Sequence, residues 1–373
     1  MRVALGTAIT MGLAKGKMES PPTTAHFLVG EGCAHSCAYC GVNESTIARI
    51  EWPKFPVENV LSSSFSGFER ACLQLTSNGF DEAIPLIKKI PVPVSVSLRA
   101  EGEKEIEQLF EAGADKVCLP LDGCTPEISE RICREGFERT FELLEWAGKR
   151  YPGRIATHLI MGLGETERDA VELLNKLSGI GVYAGLFAFT PAKGSRLAEN
   201  EKPHVGAYRR VQIARYLVTK NGTTAFDYNS KNQLIRLPGV PGEAFMTSGC
   251  LGCNRPYFDG SPSSPYNYPR ELSKGEFEEA VKQSRTYEGK NVFKAQKLLK
   301  VRAEYSNRIE IVKITGDFFV HPEDGLAEIE KSLAGCPINK NEIKARIEKA
   351  LENCEAFGFD SDSLAEAIMG AIG

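Results

Sequence analysis

Cys33, Cys37 and Cys40 stand in the run Gly-Cys-Ala-His-Ser-Cys-Ala-Tyr-Cys-Gly, with the spacing C-x3-C-x2-C. Three thiolates on one short loop can bind three corners of an iron–sulfur cubane, which needs four ligands for complete coordination. The fourth iron is then open to a molecule from outside. A structural zinc site is the plainer alternative. Zinc sites favour two separated pairs of ligands, whereas here three cysteines fall within eight residues.

A second pair, Cys250 and Cys253, lies in a loop flanked by glycine and serine. A C-x2-C turn offers two metal ligands, and it serves as a redox pair or half a zinc site as readily as half an iron–sulfur site. Asn254-Arg255-Pro256 after it argues against the helix that opens a thioredoxin-like redox motif. Cys124, just beyond Asp122, is the expected further ligand, and Cys72 the next; Cys118, Cys133, Cys336 and Cys354 read as small buried apolar residues.

These side chains need elements to hold them. Strand-like and helix-like stretches alternate from about residue 23 to 240, which predicts βα units on a parallel sheet. Strands are expected over 24–30, 71–76, 92–98, 116–121, 155–161 and 184–189, and helices over 103–112, 126–134, 137–150, 167–177 and 205–220. Thr125 before Pro126 reads as a helix cap. The fold class is α/β, a partial (β/α)6 barrel whose site belongs at the C-terminal strand ends. Residues 254–270, rich in proline, glycine, serine and tyrosine, read as a closing loop. After about 290, two paired strands (297–305 and 308–315) and helices over 322–334, 341–354 and 361–372 indicate a small α+β domain. The expected division is therefore 1–288 and 289–373.

With 42% apolar and 25% charged residues and a net charge of −4, the chain has no footprint for nucleic acid or an anionic membrane. No run reaches the roughly 20 apolar residues of a membrane span. Eleven cysteines without a secretory leader point to a reducing, cytoplasmic setting.

The cysteine loop resembles that of radical S-adenosylmethionine (SAM) enzymes. The resemblance implies a 4Fe-4S cluster on Cys33, Cys37 and Cys40 whose open iron chelates SAM, and reductive cleavage of SAM to a 5′-deoxyadenosyl radical. Tyr39 occupies the position that lies against adenine. The stretch Leu159-Ile160-Met161-Gly162-Leu163-Gly164-Glu165-Thr166 is similar to the biotin-synthase branch, implying that Ile160 flanks adenine and that Gly162 and Gly164 form the nearby turn. Arg139 matches the arginine that pairs with the SAM carboxylate there, and Asp122 a polar contact to ribose or substrate. Lys193-Gly194-Ser195-Arg196-Leu197 resembles the turn after the sixth strand. Where the family often has Gly-Gly-Glu, this chain has Gln74-Leu75-Thr76-Ser77-Asn78-Gly79, so Thr76 and its neighbours would serve the SAM amino group. In sulfur-inserting members a second 4Fe-4S cluster donates the sulfur, which would fall to Cys250, Cys253 and Cys124. Two other auxiliary cysteines of biotin synthase have Ser95 and Ala156 in their places, so strict biotin synthesis is not expected.

The run Ile314-Thr315-Gly316-Asp317-Phe318-Phe319-Val320-His321-Pro322-Glu323 resembles the accessory domain of lipoate–protein ligases. A biotin-synthase-like barrel joined to that domain resembles the two-protein lipoyl synthases, in which two radical SAM proteins cooperate. The likeness implies sulfur insertion into an octanoyl chain on a lipoyl carrier protein, with a second synthase component and an electron donor such as ferredoxin as partners. Another sulfur-containing or hydrogenase cofactor as product, or a zinc-binding scaffold, are the alternatives.

Overall fold

A computed structural model describes residues 1–41, 46–47, 50–133, 136–250, 252–352 and 354–373. Six parallel strands follow one another in sheet order: β1 (Thr24–Val29), β2 (Arg70–Leu75), β3 (Val94–Ser97), β4 (Lys116–Cys118), β5 (Ile155–Met161) and β6 (Tyr183–Ala188). All six residues of β1 and all four of β3 are buried, as expected where helices cover the outer face of a parallel sheet. Those helices are α1 (Phe80–Lys89), α2 (Glu103–Glu111), α3 (Pro126–Ile132), α4 (Phe137–Arg150), α5 (Glu167–Gly179) and α6 (Val205–Asn221).

Local chemistry sets several boundaries. The Thr125 side chain accepts from Ile128 N with Pro126 at the first turn, and Thr166 and Asp169 form a reciprocal capping box on α5. The strand expected over 116–121 stops at Cys118, because Pro120 has no N–H to give the ladder. Leu121 N donates instead to the Thr157 hydroxyl (3.1 Å), and the pairing with β5 resumes at Asp122, whose N–H reaches His158 O (2.9 Å).

The sheet is open, and both edges are covered. Arg2–Val3 pairs antiparallel with β1, and the Thr7 hydroxyl accepts from His26 N at 3.0 Å. At the other edge no seventh parallel strand follows β6 among the described residues. Leu186 N donates to Ser248 Oγ (2.9 Å) and Ala188 N to Asp259 Oδ2 (2.9 Å), which stand in for the missing ladder. The same segment reaches back to the first strand: Thr23 N donates to Asn254 Oδ1 (2.9 Å) and Thr23 Oγ1 to Gly252 O (2.5 Å). Residues 248–250 and 252–259 therefore bridge the seam between β1 and β6.

Two compact units emerge: Met1–Pro203 with Tyr208–Asp227 and Leu234–Phe277, and His204–Ala207 with Tyr228–Gln233 and Glu278–Gly373. The second has an antiparallel meander, β7 (Tyr287–Lys294), β8 (Leu298–Tyr305) and β9 (Ile309–Gly316), under α7 (Gly325–Leu333), α8 (Lys340–Leu351) and α9 (Ser361–Ile372). Leu299, Val301, Ala303 and Tyr305 alternate inward along β8 onto Ile329, Ile343, Ile347, Leu364 and Ile368. The meander's first strand escaped the sequence reading because Gly289 and three charged residues mask its pattern. That glycine is required, since a Cβ there would lie 1.7 Å from Ala371 O.

Candidate active site

The cysteine loop leaves β1 at Gly30, whose φ is +98° and where a Cβ would fall 2.1 Å from Thr76 Oγ1. Only glycine fits such a conformation at such a distance. The loop is then tied on both sides. Asn78 Nδ2 donates to Glu31 O (2.9 Å) and Ala34 N to Ser77 Oγ (2.9 Å). Ala38 N donates to Ile132 O (2.7 Å), and Leu197 N to Ala38 O (3.0 Å). Thus Ser77, Asn78 and the turn 193–197 are props for the loop's backbone.

Cys33, Cys37, Tyr39 and Cys40 line one cavity with Thr76, Arg99, Asp122, His158, Ile160 and Phe187. Five of the six parallel strands contribute directly, and Pro120 and Asp122 follow the end of β4, on the C-terminal side from which a barrel of this kind works. Among the described residues, no three His, Cys, Asp or Glu side chains close around a single metal ion. Each cysteine on a cubane takes a different iron, so a loop of this type does not have to gather its sulfurs at one point.

Asp122 is the polar centre of this cavity. It is 3% exposed and holds φ at 61°. Its Oδ2 accepts from the Tyr39 hydroxyl and from Arg99 Nη2, both at 2.5 Å. Arg99 Nη2 also donates to Cys133 Sγ at 2.9 Å, so Cys133, buried in an apolar cluster as expected, has a polar contact as well. A hydrogen bond from Cys133 and the nearby Arg99 charge bring the Cys37 thiol down to about 7 against the opposing effect of burial. The thiolate is the form that binds iron. Burial, with Asp122 beside it, pushes the Tyr39 hydroxyl well up, keeping it a donor. The His158 ring meets Phe187 edge-on at 4.8 Å, and burial followed by the Arg255 charge lowers its pKa to about 3, so the imidazole is neutral.

Four expected residues are placed elsewhere. Arg139 is exposed and donates to Glu101 O at the rim of an adjoining cavity, which shares Thr76 and Arg99 with the first. Gly162 and Gly164 have φ of +102° and +110°, and there a Cβ would meet Pro203 Cδ at 2.8 Å and Arg131 Nη2 at 2.7 Å. Glu165 accepts from Gly162 N (2.6 Å) and Leu163 N (3.0 Å), so the turn satisfies its own amides. Cys124 is buried next to Glu165 and Asp169, away from the second cysteine pair.

Cys250 and Cys253 face the inside of the sheet. Ser95 Oγ donates to Cys250 Sγ (3.7 Å), and Cys253 Sγ lies 3.8 Å from His26 Nε2. Cys72, in register with His26 on one side and Ser95 on the other, is within electrostatic reach of both. Its thiol is pushed up first by burial and then by those two sulfurs. The structure thus brings Cys72, not Cys124, to the pair, because Cys72 points inward from β2 while Cys124 has turned out toward α5. Sequence reasoning missed Arg99, His158 and Asp259. Arg99 directly follows β3, where strand-end position alone was a signal.

The cysteine-lined cavity lies over the C-terminal side of the parallel sheet, and two family models match the chain. The radical SAM superfamily model matches residues 67–177, and that for the bacterial lipoate protein ligase C-terminus matches residues 299–368. The chain carries a radical SAM domain and a lipoate–protein ligase C-terminal domain, and biotin synthase and lipoyl synthase are among its relatives. Biotin synthase of Acinetobacter baumannii is 24% identical over 204 residues, covering 50% of this chain and 61% of that protein. The mitochondrial lipoyl synthase of Lachancea thermotolerans is 25% identical over 251 residues, 62% of this chain and 65% of that one. The chain thus spans less than two thirds of either relative. Among solved structures, a bi-partite lipoate protein ligase from Thermoplasma acidophilum, described with its E2 lipoyl domain, is 27% identical over 22% of this chain and 96% of that one (TM-score 0.21). An FeFe-hydrogenase maturase from Carboxydothermus hydrogenoformans is 16% identical over 54% and 52% of the two chains (TM-score 0.43). No helix among the described residues is long and apolar enough to cross a membrane.

Proposed function

We propose that the protein is one component of a lipoyl synthase, inserting sulfur into an octanoyl chain carried on a lipoyl protein or domain. The observation that carries this reading is the presence, in one chain, of the Cys33–Cys37–Cys40 cavity and the lipoate–protein ligase C-terminal domain. The donor set fits a four-iron cluster: three thiols on one loop, one of them already near 7. Bound there, the cluster and SAM supply the one-electron chemistry that breaking an unactivated C–H bond requires.

The chain's own residues bind, orient and keep water out. The Asp122 carboxylate and the Thr76 hydroxyl are the proposed polar contacts to SAM, with Tyr39 and Ile160 against adenine. Arg139 at the rim is the proposed partner of the SAM carboxylate, which requires it to leave Glu101 O. Gly162 and Gly164 act through the turn they shape. Phe187, Phe189 and Phe258 give the cavity an apolar wall suited to an alkyl chain. Cys250 and Cys253 hold the proposed sulfur-donating auxiliary cluster, with Cys72 as third ligand.

The partners are an octanoylated carrier, a second radical SAM component and a reductant of the ferredoxin type, in the cytoplasm, a reducing compartment that suits a chain with eleven cysteines. Anaerobically reconstituted protein, supplied with SAM, reductant and octanoyl carrier peptide with and without the partner, tests the reading by mass spectrometry. A thiolated octanoyl group on the peptide is the expected product. Cleavage of SAM with no sulfur-bearing product under any combination refutes it.

A further inference from the structure

The interior of the sheet holds a second constellation with one member that neither the sequence motifs nor the comparisons assign. His26 lies on β1, 2% exposed, paired in register with Cys72 on β2. Its Nε2 faces Cys253 Sγ at 3.8 Å. The backbone of Thr24 hydrogen-bonds the ring, the kind of contact that fixes the orientation of metal-bound histidines.

We propose that His26 is the non-cysteine ligand of the auxiliary iron–sulfur cluster, completing a set with Cys72, Cys250 and Cys253; this rests on the auxiliary-cluster reading given above. Three arguments support it. First, the seam loop brings Cys253 to the β1 side of the interior through the bonds from Thr23 to Gly252 and Asn254. A ligand from β1 or β2 is therefore nearer than one from β4 or β5. Second, the rival oxygen in the same register row is engaged. Ser95 Oγ accepts from Arg70 Nε (3.0 Å) and donates to Cys250 Sγ (3.7 Å), while Arg70 Nη2 is held by Asp115 at 2.5 Å. Third, Cys118, the remaining inward thiol, is in register with Ser97, one inward position further along the strands from His26, Cys72 and Ser95. It is within electrostatic reach of Cys250 and Cys72. An imidazole on one iron makes that iron distinct from the thiolate-bound ones. Replacing thiolate by histidine also raises a cluster's reduction potential.

The full-length chain carrying Cys33→Ala, Cys37→Ala and Cys40→Ala isolates the second site. Reconstituted with iron and sulfide, labelled with nitrogen-15 histidine and reduced, it should show a strongly coupled histidine nitrogen by pulsed electron paramagnetic resonance. Adding His26→Cys should abolish that coupling, keep the iron content and move the potential to lower values. His26→Ala should lose the coupling as well. If iron binds but no strong nitrogen coupling is seen, or if it survives in His26→Cys, histidine ligation by His26 is wrong and the auxiliary cluster stands with another ligand. If Cys118→Ala changes the spectrum and His26→Cys does not, Cys118 is that ligand. A triple variant that binds no iron removes the auxiliary cluster itself, and this assignment with it.

Discussion

Tyr39 Oη and Asp122 Oδ2 are 2.5 Å apart, and the same carboxylate oxygen takes the Arg99 guanidinium at 2.5 Å. This contact joins the last turn of the cysteine loop to the point where β4 has ended and Asp122 rejoins β5. The position of Cys40, one residue on, thus depends on a side chain more than eighty residues away. Tyr39→Phe removes the donor while keeping the ring. It should cost about 1–3 kcal/mol of stability and weaken SAM binding about tenfold, equivalent to about 1.4 kcal/mol. Asp122→Ala should lose more, because it also strips Arg99 of its carboxylate. Calorimetric titration of the reconstituted proteins with SAM decides this; equal affinity in wild type and Tyr39→Phe would show that the contact positions nothing.

Asp259 closes the sheet by accepting from Ala188 N and from Asn267 Nδ2, at 2.9 and 2.8 Å. Asp259→Ala leaves a buried N–H on β6 without that acceptor and should destabilise by about 1–3 kcal/mol. Asp259→Asn keeps one acceptor oxygen and relieves burial of a carboxyl whose pKa is already raised by that burial. It should cost less than alanine. Urea denaturation of the three proteins gives the order, and an asparagine variant as unstable as the alanine one would contradict it.

The alternation of βα units and the cysteine spacing were readable because both are local. Strand periodicity, Thr125 as a cap, and C-x3-C-x2-C each occupy a few consecutive residues. The inward layer of the sheet was not readable in the same way. His26, Cys72 and Ser95 become neighbours only through strand register, and Cys253 joins them only because Thr23 hydrogen-bonds the seam loop. Cys124 misled for the matching reason: it adjoins Asp122 in sequence, yet Gly123 turns the chain toward α3, and there a Cβ would meet Ser129 at 2.6 Å. Gly162 and Gly164 look like ligand-approach glycines, but the approach is to Pro203 and Arg131.

His158 gives the protein an acid limb. Its folded pKa is about 3 against 6.5 unfolded. The unfolded chain therefore binds a proton that the folded chain refuses as pH falls below about 6.5. The stability from the neutral ring is complete above that value and is lost progressively down to about 3, at up to about 1.4 kcal/mol per pH unit. His26, with the same depression for the same first cause, burial, adds a parallel loss. Urea denaturation at pH 7 and pH 5 should show the decline, and His158→Gln should make it roughly half as steep. An unchanged slope in the variant would mean that His158 already gains a proton within the folded protein.

The cysteine cavity, its Tyr39–Asp122–Arg99 contacts and the Cys72–Cys250–Cys253 group all belong to the first unit, before Phe277. The second unit has its own core, from Leu299 on β8 to Ile372 on α9. Deleting Glu278–Gly373 should accordingly leave the first six strands folded, with iron content and uncoupled SAM cleavage close to those of the full chain. Residues 204–207 and 228–233, which group with the second unit, lose their partners, so a modest fall in melting temperature is expected. Thiolation of the octanoyl carrier should fall far more, on the order of a hundredfold, since misplacing a reacting chain by about 1 Å has that effect. Iron analysis, SAM cleavage and carrier mass are measured on the same preparation, which separates a folding defect from a substrate defect. Loss of iron together with thiolation would mean that the first unit does not stand alone. Undiminished thiolation would make the lipoate ligase domain a passenger, leaving the lipoyl substrate supported by the barrel's relatives alone.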